Sequence, residues 1–291
     1  MNRVTANDIE IVYDAFGSPS GRPLLLIMGL GSQMIHWDEE FCELLAERGH
    51  HVVRFDNRDA GLSTHFHEAD MPYLGAASDG GAPAVPYLLG DMADDAAGLL
   101  DALGWASAHV LGVSMGGMIA QAFAIAHPAR TRSLTSIMST PGPQIGGPTE
   151  QAMAALLSRS APEREAVVRR AVEVWKVIGS PGFPMDEEGI TRVAGQSFDR
   201  CYDPAGFGRQ LAAIMASGDR TAALRELSVP ALVIHGEADP LIQLPGGVAT
   251  ADAIPGAKLL TFPGMAHDLP RPLWPDIATA VTELTERADR L

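Results

Sequence analysis

The sequence has little cysteine. Cys42 and Cys201 are its only two cysteines, and they lie far apart, outside any spacing typical of a metal site or a redox pair. We therefore expect two free, mostly buried thiols in a reducing compartment, which favours the cytoplasm. No motif of the sequence predicts a metal ion or a cofactor.

Long apolar runs and an excess of positive charge are also missing. No run approaches the roughly 18 uninterrupted apolar residues of a membrane-spanning helix, and residues 1–14 lack the apolar segment of a secretory signal. The 36 acidic residues outnumber the 21 lysines and arginines, which gives a net charge of −15. A surface of this sign disfavours binding to nucleic acid or to anionic membranes. We expect a cytoplasmic protein with no membrane span and no nucleic-acid partner.

What the sequence does contain is an alternation of short apolar runs with amphipathic stretches. The apolar fraction of 46% is sufficient for a sheet buried under helices on both faces. Alternating strands and helices predict a mostly parallel sheet, that is, an α/β fold. Strands are predicted at 8–13, 23–28, 51–56, 108–111, 133–138, 231–235 and 258–262, and helices at 41–48, 91–103, 118–124 and 275–287.

Two regions interrupt this alternation. A stretch with several glycines and prolines, at 62–86, is predicted to be a long loop. Residues 141–227, which we call the inserted segment, contain no convincing strand, and helices are predicted there at 149–159, 163–177, 186–198 and 205–216. We expect the inserted segment to form a helical cap over the strand ends, on a core made of residues 1–140 and 228–291.

The most informative pattern is Gly-x-Ser-x-Gly, at residues 112–116 between a predicted strand and a predicted helix. A serine at such a sharp turn has a strained backbone and an exposed hydroxyl, and Gly112 and Gly116 remove side chains that would collide across the turn. The helix that follows offers N–H groups and its positive dipole end to a negatively charged oxygen. We predict that Ser114 is a nucleophile.

A serine hydroxyl needs a base to take its proton and an acid to orient that base. His267 follows the strand predicted at 258–262, and Asp239 follows the strand predicted at 231–235. Because parallel strands end at the same edge of a sheet, we predict that His267 is the base and Asp239 the acid. Glu237, two residues before Asp239, is the alternative acid.

Other titratable residues near these positions are expected to be structural. Asp268 adjoins His267 and is interpreted as a solvated loop carboxylate. Of the nine histidines, the other eight have no matching position after a strand and are expected to be surface or packing residues. His36 is kept as a candidate because it lies near the other half of the predicted site.

Two backbone N–H groups are expected to stabilise the negative oxygen that forms when the serine attacks a carbonyl group. One belongs to Met115, directly after the serine. The other belongs to Leu30, in a loop that follows the strand predicted at 23–28 and contains Gly29 and Gly31. The two glycines allow the backbone of this loop to turn an N–H toward the nucleophile.

These residues together resemble the α/β-hydrolase superfamily over the whole chain. Within it, the segments IMGLGSQMIHW (27–37) and RFDNRDAGLS (54–63) are similar to the aclacinomycin methylesterase-type branch. The resemblance implies hydrolysis of a small-molecule carboxylic ester, with Ser114 as nucleophile, His267 as base and Asp239 as orienting acid.

Three alternatives stay open within this resemblance. Cofactor-independent haloperoxidases, or perhydrolases, and enol-lactonases share the pattern at 112–117 almost as well. A ligand-binding receptor that keeps the fold but has little turnover is the alternative from another class. Haloalkane dehalogenases and epoxide hydrolases of this fold are excluded, because they need an aspartate where this chain has Ser114.

The substrate cleft is expected to be apolar and to favour medium-sized apolar esters. Met28 stands where the superfamily commonly has a histidine, a change that we expect to affect substrate preference more than mechanism. Arginines of the inserted segment, among them Arg200 and Arg209, are expected on solvated helix faces. The residues predicted to line the cleft are Met28, Met34, Trp37, Trp175, Phe183 and Met215.

Overall fold

The structure is a computed structural model, and it describes residues 1–68, 85–159 and 161–291. Residues 69–84 of the predicted long loop therefore lie outside the described residues. Within the described ranges eight strands form one sheet. They are β1 (Asn2–Ala6), β2 (Ile9–Phe16), β3 (Arg22–Ile27), β4 (His50–Phe55), β5 (Ala108–Val113), β6 (Thr131–Ile137), β7 (Ala231–Gly236) and β8 (Lys258–Phe262).

The sheet has the strand order β1-β2-β4-β3-β5-β6-β7-β8. The six strands β3 to β8 run parallel to one another, whereas β2 is antiparallel to both of its neighbours. The first strand was not predicted separately from the second. It pairs with β2 through a tight turn at Asn7 and Asp8, whose φ angles of 49° and 62° suit the hairpin turns in which both central residues have positive φ.

Helices cover the sheet and include two that the sequence did not predict. They are α1 (Glu39–Glu47), α2 (Leu89–Ala102), α3 (Met115–Ala126), α4 (Glu150–Leu156), α5 (Arg164–Ile178), α6 (Glu187–Arg200), α7 (Pro204–Ala216), α8 (Thr221–Leu224), α9 (Leu244–Ala253) and α10 (Trp274–Ala288). Short α8 and α9 were missed. Helix α9 contains the poor helix formers Gly246 and Gly247, but a Cβ at Gly247 would come within 2.4 Å of the His235 ring. Close packing therefore requires a glycine where propensity argues against one.

The core has one apolar cluster on each face of the sheet. Along β3 the side chains alternate, with Leu24 and Leu26 in one cluster and Leu25 and Ile27 in the other. All four side chains are fully buried, and burial of each stabilises the folded state by roughly 1.5–3 kcal/mol. The unbroken apolar run of this strand thus reflects a sheet that is covered on both faces.

Helices α4 to α8 lie between β6 and β7 in the chain, and buried ion pairs join them to the loop that follows β4. Arg209 binds Asp59 with two hydrogen bonds of 2.7 and 2.8 Å, and Arg200 binds Asp56 at 2.8 Å. Arg209 is 1% exposed. The expectation that these two arginines lie on solvated helix faces is therefore wrong. Burial of the charges is tolerated because each guanidinium has a carboxylate partner.

None of the helices in the parts of the chain that the structure describes is long and apolar enough to cross a membrane. Both cysteines are free. Cys42 is buried, and burial raises the pKa of its thiol to about 12.

Candidate active site

Ser114 occupies the sharp turn between β5 and α3. Its φ and ψ are 56° and −122°, a conformation that L-residues rarely adopt. A Cβ at Gly112 would lie 2.0 Å from the carbonyl oxygen of Gly116, and a Cβ at Gly116 would lie 2.1 Å from that of Ile27. Both glycines of the pattern are therefore required by close backbone contacts.

Hydrogen bonds hold this strained turn in place. The N–H of Ser114 donates to the carbonyl of Ile137 at 2.9 Å, and the hydroxyl of Ser139 donates to the carbonyl of Ser114 at 2.8 Å. Such backbone strain costs of the order of 1–3 kcal/mol and persists only where the surroundings enforce it. Here β6 and the residues after it supply that constraint.

The structure brings the predicted nucleophile, base and acid together. His267 Nε2 lies 2.9 Å from Ser114 Oγ, and His267 Nδ1 lies 2.8 Å from Asp239 Oδ2. With the Nδ1 proton donated to the carboxylate, Nε2 accepts the proton of the serine hydroxyl. A serine activated in this way can attack an electrophilic carbon.

Asp239 is fixed from both sides. Its Oδ1 accepts hydrogen bonds from the N–H groups of Leu241 and Ile242, at 2.8 and 3.0 Å, which leaves Oδ2 for His267. The side chain is fully buried. These two N–H donors fix the carboxylate with Oδ2 directed at His267.

The alternative acid and the neighbouring histidine are placed elsewhere. Glu237 is exposed and accepts a hydrogen bond from Thr261 Oγ1 at 2.8 Å, away from His267. His235 donates from Nε2 to the carbonyl of Ile242 at 2.7 Å, and burial lowers its pKa. His235 is thus a neutral packing residue. His36 is partly buried, and its Nδ1 donates to the carbonyl of Gln33 at 3.1 Å.

The two predicted N–H donors belong to segments that adjoin Ser114. Met115 is the first residue of α3, so its N–H has no partner within the helix. Gly29 approaches so closely that a Cβ there would lie 3.2 Å from Ser114 Cβ. The loop that carries Leu30 therefore packs directly against the nucleophile.

The inserted segment holds this loop through a residue that the sequence did not single out. Gln210 on α7 accepts from the N–H of Gly31 at 2.8 Å and donates to the carbonyl of Arg58 at 2.7 Å. It is completely buried. A glutamine in an apolar helix face is the only trace of this role in the sequence.

The inserted segment also reaches the loop that bears His267. The carbonyl of Ile178 accepts from the N–H of His267 at 3.0 Å. The hydroxyl of Ser180 accepts from the N–H of Ala266 at 2.7 Å and donates to Asp268 Oδ1. Asp268 is therefore not a solvated carboxylate. Burial raises its pKa, partly offset by the hydrogen bonds to Ser180.

The residues predicted to line the cleft are dispersed. Trp175 and Phe183 line a groove of about 1470 Å³ between the inserted segment and α1. Met28 is 6% exposed, whereas Met34 and Trp37 are at most 1% exposed and pack in the core. Met215 projects from α7 with 49% of its surface exposed. Neither Ser114 nor His267 lines the groove, which lies beside the site.

Comparisons with known proteins agree with this architecture. The family model described as alpha/beta hydrolase fold matches residues 22–165. Rhodomycin D methylesterase DauP from Streptomyces sp. (strain C5) is 29% identical over 98% of each chain. The 3-oxoadipate enol-lactonase 2 of Acinetobacter baylyi is 26% identical over 84% of this chain and 81% of its own. The structure of the enol-lactonase from Burkholderia xenovorans LB400 superposes with a TM-score of 0.70 at 24% identity, over 100% of both chains. The predicted α/β-hydrolase fold and the predicted resemblance to the α/β-hydrolase superfamily are confirmed.

Proposed function

We propose that this chain, which has the α/β-hydrolase fold, is a carboxylic ester hydrolase that works through an acyl-enzyme formed on Ser114. The observation that carries the proposal is the unbroken hydrogen-bonded series from Ser114 through His267 to Asp239, at 2.9 and 2.8 Å. Nucleophile, base and orienting acid are in contact without any movement of the chain.

In the first half-reaction Ser114 Oγ attacks the ester carbonyl while His267 Nε2 takes the hydroxyl proton. The carbonyl oxygen becomes negative and accepts hydrogen bonds from the N–H groups of Leu30 and Met115. Asp239 stabilises the imidazolium through Nδ1. The tetrahedral intermediate collapses as His267 gives its proton to the leaving alkoxide, and the free alcohol departs.

In the second half-reaction water attacks the acyl-enzyme. His267 takes a proton from the water, the same two N–H groups bind the oxyanion, and the bond between the acyl carbon and Ser114 Oγ breaks. The proton returns to Ser114, and the carboxylic acid leaves. Each removed oxyanion donor costs roughly 3 kcal/mol in the transition state.

We further propose that the inserted segment is the cap of the site and that the substrate is an apolar ester of medium size. Three observations support this. Trp175 and Phe183 offer aromatic surface to the groove beside the site, whose lining includes Asp268, next to His267. The net charge of −15 disfavours anionic substrates, and a similar protein is named a methylesterase. We leave Met34, Trp37 and Met215 out of the substrate site, because the first two are buried in the core and the third faces solvent.

Lactone hydrolysis is the second candidate, favoured by the similarity to an enol-lactonase over 84% of this chain. A lactone is an intramolecular ester, so the same residues would open the ring, and the alcohol would remain attached to the acyl group. A panel of p-nitrophenyl esters, methyl esters and enol-lactones that varies the acyl and alcohol parts separately distinguishes the two.

The test of the mechanism is Ser114→Ala. We expect turnover of the best ester to fall by about 10⁴- to 10⁶-fold and labelling by a fluorophosphonate probe to disappear. Ser158→Ala, at an exposed serine of the inserted segment, is the matched control and should keep both. If Ser114→Ala keeps most of the activity, the acyl-enzyme mechanism is refuted. If the probe labels the unaltered protein but no ester is turned over in a sustained way, the alternative of a ligand-binding receptor is favoured.

A further inference from the structure

A cluster of two histidines and one aspartate lies where the loop after β4 meets the start of α7. His65 Nδ1 is 2.7 Å, and His67 Nδ1 is 3.7 Å, from the same oxygen, Oδ2 of Asp203. The three ligand atoms all lie within 4.8 Å of one another. We infer that His65, His67 and Asp203 bind a divalent transition metal ion, best Zn²⁺, that joins the core loop to the inserted segment.

The contacts of His65 allow it to bind a cation through Nδ1. Its Nε2 faces the carbonyl oxygen of Gly61 at 3.0 Å, and its Nδ1 faces Asp203 Oδ2 at 2.7 Å. Both of these partners are acceptors, whereas the thiol of Cys201, 3.6 Å from Nε2, can donate to that nitrogen. With the proton on Nε2, the Nδ1 lone pair points at a carboxylate oxygen. In that tautomer Nδ1 and Oδ2 are two ligand atoms directed at one point, and a metal ion placed between them binds both lone pairs.

The neighbour at position 67 favours the metal ion over the proton alone. A proton serves only His65, whereas His67 directs a second nitrogen at the same carboxylate oxygen. The two rings are stacked with centroids 5.2 Å apart and planes 9° from parallel. Ligand atoms around tetrahedral zinc are about 3.4 Å apart, given metal–ligand distances near 2.0–2.2 Å. The observed 2.7 and 3.7 Å lie on either side of that value.

The surroundings of the cluster also suit a bound metal. A metal-binding histidine usually donates its other N–H to a carbonyl or carboxylate, as His65 does to Gly61. Arg209 donates to Oδ2 of Asp203 at 2.9 Å, which leaves a further lone pair of that oxygen for the metal ion, and Oδ1 accepts from the N–H of Ala205 at 3.1 Å. Arg209 is shared with Asp59, so two carboxylates face one guanidinium and leave a net negative charge for a cation.

The cluster is open to solvent on one side. The His67 side chain is 68% exposed, against 10% for those of His65 and Asp203. A surface hollow of about 370 Å³ is lined by residues 65–68. The metal can therefore enter from water and keep a water molecule as its fourth ligand. Two imidazoles and a carboxylate suit Zn²⁺ or Cu²⁺ better than Mg²⁺ or Ca²⁺.

The experiment uses the full chain without an affinity tag, stripped with EDTA, and Zn²⁺ alone as the probe. We expect one equivalent to bind by calorimetry and to raise the melting temperature, because the ion binds only the folded chain. In His67→Ala, which changes an exposed side chain, we expect the Kd to rise at least tenfold and the zinc-dependent rise in melting temperature to disappear. Mg²⁺ should produce neither effect.

Two control variants make the result specific. His127→Ala removes another partly exposed histidine paired with an aspartate, Asp94, and should bind zinc unchanged. Cys201→Ser should also bind unchanged, since Cys201 Sγ is 3.6 Å from His65 Nε2, on the far edge of that ring. The inference is overturned if the unaltered chain does not bind zinc. It is also overturned if His67→Ala leaves zinc binding intact or if Cys201→Ser abolishes it. Ser114→Ala should bind zinc as the unaltered chain does, so this test is independent of the proposed esterase mechanism.

Discussion

Removal of the Ser180 hydroxyl tests whether this residue of the inserted segment helps to position His267, the proposed base. Ser180 is 9% exposed and joins Ala266 N–H to the carboxylate of Asp268, on either side of His267. In Ser180→Ala both of these groups lose their partner at a buried position. The histidine keeps its own bond to Ile178 O, at 3.0 Å, but the loop around it loses two restraints.

The size of the effect follows from the kinds of bond lost. A hydrogen bond to a carboxylate contributes about 1.5–3 kcal/mol and a neutral one about 0.5–1.5 kcal/mol. Because Asp268 is partly buried and lines the groove, water replaces part of its lost bond, and we expect the free energy of unfolding to fall by about 1–3 kcal/mol. A displacement of a catalytic group by about 1 Å can cost up to 10² in rate. We expect kcat to fall about 10- to 100-fold, with a smaller change in KM.

The pH dependence of stability provides a second readout. Burial raises the pKa of Asp268 above its ordinary value of 3.8, and the bonds to Ser180 oppose that shift. A raised pKa means that the folded chain holds this proton more tightly than the unfolded chain. The contribution of Asp268 to stability is therefore largest at low pH and declines as the pH rises from 3.8 through the folded-state pKa. In Ser180→Ala the pKa rises further, so the decline should extend to higher pH.

The assays are urea unfolding at a series of pH values and kcat for the best ester from the panel. Ser180→Thr keeps the hydroxyl and should recover most of both losses. Ser158→Ala, exposed on the same segment, should change neither. If Ser180→Ala has the unaltered kcat and the unaltered pH dependence of stability, the Ser180 hydroxyl does not help to position His267.

Three further outcomes are expected. Asp239→Asn should lower kcat by about 10⁴ by leaving His267 in the wrong tautomer, whereas Glu237→Gln, at an exposed side chain hydrogen-bonded to Thr261, should keep the unaltered kcat. If steady-state kinetics show the larger loss of kcat in Glu237→Gln, Asp239 is not the acid. Gln210→Ala removes the acceptor of the Gly31 N–H and should lower kcat/KM about tenfold, about the value of one hydrogen bond. Circular dichroism checks that the variant folds, and an unchanged kcat/KM shows that the loop carrying Leu30 keeps its position without Gln210. Trp175→Ala and Phe183→Ala should change the ratio of activity on long and short esters without moving the pH–rate profile, and an unchanged ratio places the pocket elsewhere.

The sequence alone determined the local part of this protein. Strand and helix positions follow from apolar periodicity, which is a property of neighbouring residues. The turn at Ser114 follows from two glycines that no other residue can replace, because their Cβ atoms would lie about 2 Å from backbone oxygens. His267 and Asp239 could be proposed because each follows a strand, and parallel strands end at one edge of the sheet.

What depends on distant partners was decided only by the tertiary structure. Arg209 follows its partner Asp59 by 150 residues, and no pattern in either segment indicates the pair. Gln210 and Ser180 contact the site through loops that only the docking of the inserted segment brings near them. His65 and Asp203 are likewise 138 residues apart.

The choice of Asp239 over Glu237 shows the difference most clearly. Both carboxylates follow β7 and differ by two positions, so spacing alone left the two open. In the structure Asp239 is fully buried at 2.8 Å from His267, while Glu237 is exposed. Chain order limits which residues can meet at a sheet edge, but only the three-dimensional path of the loop decides which carboxylate turns inward, because burial and hydrogen bonding depend on everything packed around it.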